Sequence, residues 1–91
     1  MKGYLVKETC VATQDNPSFA NETRVYLYGK AEQLISASGS PRAWENSDYS
    51  SIYLASHCYK RECDAKRSYI YKNPENTKYW ESTVEIIEVE I

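Results

Sequence analysis

Residues 79–91, Tyr79-Trp80-Glu81-Ser82-Thr83-Val84-Glu85-Ile86-Ile87-Glu88-Val89-Glu90-Ile91, decide the fold of this chain. The run is the most β-prone present, dense in β-branched residues and opened by an aromatic pair. Its alternation changes phase once: Val84 and Ile86 share one face, whereas Ile87, Val89 and Ile91 share the other. Either a bulge near Ile86 and Ile87 re-aims the later side chains, or the strand is covered on both faces. Glu85, Glu88 and Glu90 argue against complete burial, because an unpaired buried carboxylate is costly. The run reads as an interior or near-interior strand with a bulge.

Upstream of it, Asn73-Pro74 closes a segment that starts at Ser56, a good N-cap, and reads as one helix to about Lys72. At helical spacing Cys58, Tyr59, Cys63, Ala65, Tyr69 and Ile70 fall in one broad arc. Glu62 and Lys66 fall inside the same arc, which weakens its apolar character. Tyr4–Thr13 and Thr23–Tyr28 read as strands separated by the turn-rich QDNPSFAN. Residues 30–38 admit two readings, a third strand entered through a Gly29-Lys30 turn or a short helix stopped by Gly39 and Pro41. The strand is preferred. Ser38–Ser50 is loop by composition, with Trp44 as its anchor, and residues 51–54 could extend a strand or a helix. The expected architecture is a single α+β domain over 1–91, a small antiparallel sheet with one main helix packed on it in the order β-β-β-α-β.

Composition narrows the function classes. The chain has 91 residues, 26% of them charged, and a formal net charge of −2, so no overall charge draws it to nucleic acid. No run approaches the ~20 apolar residues of a membrane span, and MKGYLVKETC lacks the apolar core of a secretory signal. Three cysteines, an odd number, fit reduced thiols of a cytoplasmic protein better than a disulfide framework. Cys58, Cys63 and the single His57 lack metal-ligand spacing, and adjacent His57 and Cys58 diverge on a helix. The three isolated glycines form no phosphate loop. No metal, cofactor or catalytic residue is therefore expected, and the protein reads as a non-enzyme.

Nine tyrosines against one phenylalanine stand out. Tyrosine suits half-buried sheet faces and is enriched at binding hot spots. Charge is unevenly spread. Residues 57–72 carry Lys60, Arg61, Lys66, Arg67 and Lys72 against Glu62 and Asp64, while the last strand has four glutamates and no basic residue. One account is intramolecular, a basic helix packed over an acidic sheet. The other is a partner surface on the outward helix arc, with Lys60, Arg61, Arg67 and Tyr71 as its contacts.

The stretch HCYKRECDAKRSYIYKNPENTKYW together with the closing TVEIIEVEI is similar to small accessory proteins of phages and mobile elements, of the anti-CRISPR or other counter-defence type. The resemblance extends over the whole chain in layout and over residues 57–91 in detail. It implies an inhibitor acting in the host cytoplasm by stoichiometric binding to a host protein or nucleoprotein, and it assigns no catalytic residue. The alternative is a small nucleic-acid-binding module that uses the basic helix face, although no RNA- or DNA-binding motif is present.

Overall fold

The computed structural model describes residues 1–18, 22–38 and 56–91. The expected loop at 38–50 with its Trp44 anchor, and the ambiguous 51–54, lie outside the described residues beyond Ser38. Among the described residues four strands form one antiparallel sheet: β1 (Lys2–Ala12), β2 (Thr23–Tyr28), β3 (Leu34–Ser38) and β4 (Trp80–Glu90), in the order β3-β2-β1-β4. Two short helices, α1 (Glu62–Lys66) and α2 (Tyr69–Lys72), lie between β3 and β4 in sequence and rest against β1 and β4. The α+β class holds, with helix as the minor part.

The closing strand forms as its β-branched content requires, but it sits at an edge of the sheet, and β1 and β2 are the interior strands. Nor does it carry a bulge. β1 and β4 pair without interruption from Lys2↔Glu90 to Ala12↔Trp80. Unbroken register sends Val84 and Ile86 to one face and Ile87, Val89 and Ile91 to the other. The phase change is thus explained by apolar packing on both faces. On one, Leu5, Leu27, Ile35 and Cys58 form a buried cluster flanked by Ile87, Val89 and Ile91. On the other, Val6, whose register partner is Ile86, is 0% exposed. The irregularity of the sheet lies elsewhere, between Leu27 and Tyr28 where β2 meets β3.

Residues 30–38 resolve towards the strand, but the turn is not the expected one. Gly29 is extended, and its amide donates to the Gln33 carbonyl at 2.8 Å. The tight turn is made by Ala31 and Glu32, with φ of 56° and 58°. This is the inverted hand that matches strand twist in hairpins. Glycine is needed at 29 for another reason: a Cβ there would overlap the backbone carbonyl oxygen of His57.

The single helix over 56–72 is the main correction. Tyr59 leaves helical geometry and makes two backbone hydrogen bonds with Tyr4, each 2.9 Å. Tyr4 lies beyond the end of β2 on that side of β1, so its N–H and C=O would otherwise be unpaired there. Arg61 is extended as the N-cap of α1. Ser68 is extended again, and its hydroxyl accepts from the Tyr71 amide at 3.3 Å to start α2. A serine inside a weakly amphipathic segment offers the backbone this local alternative. Tertiary pairing at Tyr59 and capping at Ser68 together outweigh a continuous helix.

Candidate functional site

Strand register assembles a concavity on one face of the sheet. On the face of β1 that carries Val6, Glu8 and Cys10, each residue has a neighbour on either side. Glu8 stands between Tyr26 and Val84, Cys10 between Arg24 and Ser82, and Val6 between Tyr28 and Ile86. From these rows Glu8, Cys10, Arg24, Tyr26, Tyr28 and Ser82, with Trp80 at the start of β4 and Glu75 and Thr77 from the preceding segment, line a pocket of about 290 Å³.

Its polar groups form a connected set. Glu8 is only 7% exposed, and among the described residues no cation pairs with it. The Tyr28 hydroxyl and the Cys10 thiol both feel its charge. Burial, then the nearby Glu8 charge, pushes the Tyr28 hydroxyl up to about 12. Burial also pushes the Cys10 thiol upward, and the Ser82 hydroxyl at 3.1 Å only partly opposes this. A thiol held protonated is a poor nucleophile, and His57 does not line the pocket to activate it.

Arg24 defines the other end. Its guanidinium lies 4.9 Å from the centre of the Trp80 ring, within cation–π range. It also donates to Glu22 at 3.4 Å, and the neighbouring Tyr26 and Glu22 raise its already high pKa. The Tyr26 and Tyr28 rings follow along β2 with centroids 6.5 Å apart. Tryptophan, tyrosine and arginine, the residue types that dominate interface energetics, thus converge on one concave surface. The tyrosine count hinted at such a surface. Which tyrosines join it depends on the β1–β2 register, which pattern alone does not give.

The four residues read as a partner surface fall in two groups. Arg61 and Arg67 converge on one carboxylate, that of Asp64, at 3.0 and 3.9 Å. Lys66 pairs with Glu62 at 3.5 Å. Lys60 is exposed before α1, and Tyr71 is half-buried in α2. The helical arc that joined all four is interrupted at Ser68, although the two arginines remain neighbours. The proposed packing of a basic helix over an acidic sheet is replaced by local pairing. Glu85 and Glu88 of β4 pair with Lys7 and Lys2 of β1, at 3.4 and 3.3 Å.

The cysteines occupy three separate environments: Cys10 at the pocket, Cys58 buried against the sheet and Cys63 exposed on α1. Among the described residues no group of three His, Cys, Asp or Glu side chains could hold a metal ion, and no helix is long and apolar enough to cross a membrane. Comparison of the chain with protein-family models, with curated proteins and with solved structures returns no match.

Proposed function

We propose that this chain is a non-enzymatic binding protein, an inhibitor of the anti-CRISPR or related counter-defence type, which acts in the host cytoplasm by stoichiometric capture of a host protein or nucleoprotein. The observation that carries the reading is the cleft in which Arg24, Tyr26, Tyr28 and Trp80 surround the buried Glu8 carboxylate. Aromatic and arginine anchors in a partly desolvated concavity are what protein interfaces use for most of their binding energy. Lys60, Arg61, Arg67 and Tyr71 form the second contact surface proposed. Its charge is moderated by Asp64, so the cleft is placed first.

The test starts with recovery of the partner from the native host and continues with titration of purified components. The double variant Arg24→Ala/Tyr26→Ala is expected to weaken binding at least ~30-fold, corresponding to ~2 kcal/mol. Arg61→Glu/Arg67→Glu is expected to change it less. The reverse order of effects would move the contact to the helical arginines. Affinity for an oligonucleotide that falls steeply with salt would replace the protein-binding reading with the nucleic-acid module.

A further inference from the structure

Among the described residues, strand β4 is paired with β1 along one side only. On its outer side the backbone groups belong to the even-numbered residues. The Ser82 amide points outward to the Asn76 side-chain oxygen at 3.0 Å, whereas the odd-numbered Ile91 donates inward to Met1 at 3.0 Å. From Val84 to Glu90, no outward N–H or C=O of β4 has a hydrogen-bond partner among the described residues. Natural edge strands are commonly blunted by lysine, proline or a bulge. β4 has no lysine, proline or bulge, only the charges of its glutamates, and its register with β1 is continuous.

We infer that β4 pairs antiparallel with β4 of a second copy, through a two-fold axis at Ile87, to give one continuous eight-stranded sheet. Only registers that match outward residues with outward residues can form the ladder. In the register centred on Ile87, Val84 lies opposite Glu90, Ile86 opposite Glu88 and Glu85 opposite Val89. No glutamate then faces a glutamate directly, whereas centring on Glu85 or Glu88 would set like charges against each other. The same register ends where the open edge ends, because Ser82, whose amide is taken, falls outside it. It also joins Ile87 and Val89 of the two copies on the face of the Leu5 cluster. Glu85 and Glu88 meet lysines of their own β1, so their charge is already moderated at the seam. A two-fold interface of this kind closes at two copies.

Sedimentation equilibrium should give a mass approaching twice 10.5 kDa with rising concentration. Glu88→Pro removes an outward donor that the β1–β4 ladder does not use, so it should yield a folded monomer. Val84→Pro tests the same edge independently should Glu88→Pro misfold. The Ile87 pair would be a non-hydrogen-bonded one, with Cα atoms ~4.5 Å apart and within disulfide reach. Ile87→Cys in a Cys63→Ser background should therefore form a covalent dimer on oxidation. A wild-type chain monomeric at ~1 mM, where Kd corresponds to only ~4 kcal/mol, overturns the inference. So does a dimer that survives both proline variants. A monomer whose Glu88→Pro variant loses a foreign partner assigns the edge to that partner's strand instead. Failure of Ile87→Cys to cross-link alone, with cross-linking of mixed Glu85→Cys and Ile87→Cys chains, overturns the register.

Discussion

Gly3 lies directly against Cys58: a Cβ at Gly3 would overlap the Cys58 sulfur. The contact joins β1 to the segment that turns from the core towards the Tyr4–Tyr59 bridge, and both residues are buried. Because the obstacle is a side chain, it can be removed. Gly3→Ala should cost about 1–3 kcal/mol by overpacking, and Cys58→Ala in the same chain should recover most of that. Gly29 gives the contrasting case, since its obstacle is the His57 backbone carbonyl. No substitution at position 57 should rescue Gly29→Ala. Denaturant midpoints of the single and double variants measure both outcomes.

The turn after Gly29 holds two residues at positive φ without a glycine, Ala31 at 56° and Glu32 at 58°. A non-glycine residue in the left-handed region costs about 1–2 kcal/mol, less for asparagine. Glu32 has a second duty, since its carboxylate accepts from the Tyr69 amide at the start of α2. Ala31 has none among the described residues. Ala31→Asn should therefore raise stability by about 0.5–1 kcal/mol, whereas Glu32→Gly should gain less because it loses that bond. Thermal unfolding of the two variants side by side decides the point; a destabilised Ala31→Asn would show that the turn is not strained.

The strands were legible because their signal is local. Thr23–Tyr28 occupies the span its alternation predicts, and the first and last strands agree within two residues at each end. What the pattern could not convey was non-local. Apolar residues on both sides of 84–91 admit a bulge or two covered faces, and only the continuous pairing with β1 selects the second. The 56–72 segment failed for the same reason. Its competitor was a hydrogen-bonding vacancy at Tyr4, more than 50 residues away in sequence, joined to a serine that caps better than it propagates. The cleft was foreshadowed by tyrosine enrichment alone. Its buried carboxylate comes from Glu8, a residue that alternation places in a strand without marking it.

Stability should fall at alkaline pH with an identifiable contribution from Tyr28. Its folded pKa of about 12 stands above the ordinary tyrosine value of 10.0. The folded chain then holds a proton that the unfolded chain has released. The contribution is complete below pH 10 and is lost as pH rises through 12. Cys10 is raised in the same direction and adds a decline that begins above its ordinary 9.0. Tyr28→Phe should lower stability near neutrality by up to about 1 kcal/mol, through loss of the hydroxyl beside Glu8. It should also flatten the decline between pH 10 and 12. An unchanged slope would place the titrating groups elsewhere.

Glu8 separates the needs of folding from those of binding. A carboxylate 7% exposed on a sheet face, with no cation paired to it among the described residues, is an expensive way to fill the position. Glutamine has the same shape without the charge. Glu8→Gln should therefore leave stability unchanged or raise it by about 1 kcal/mol. Glu8→Ala leaves a void on the sheet face and should cost about 2–3 kcal/mol. If the cleft grips its partner, the isosteric variant is the informative one. Glu8→Gln should melt at or above the wild-type temperature and yet bind the captured partner at least ~10-fold more weakly, because the charge that folding does not need is then the charge that binding uses. Equal affinity of Glu8→Gln and wild type, measured by calorimetric titration, would show that the carboxylate takes no part in recognition.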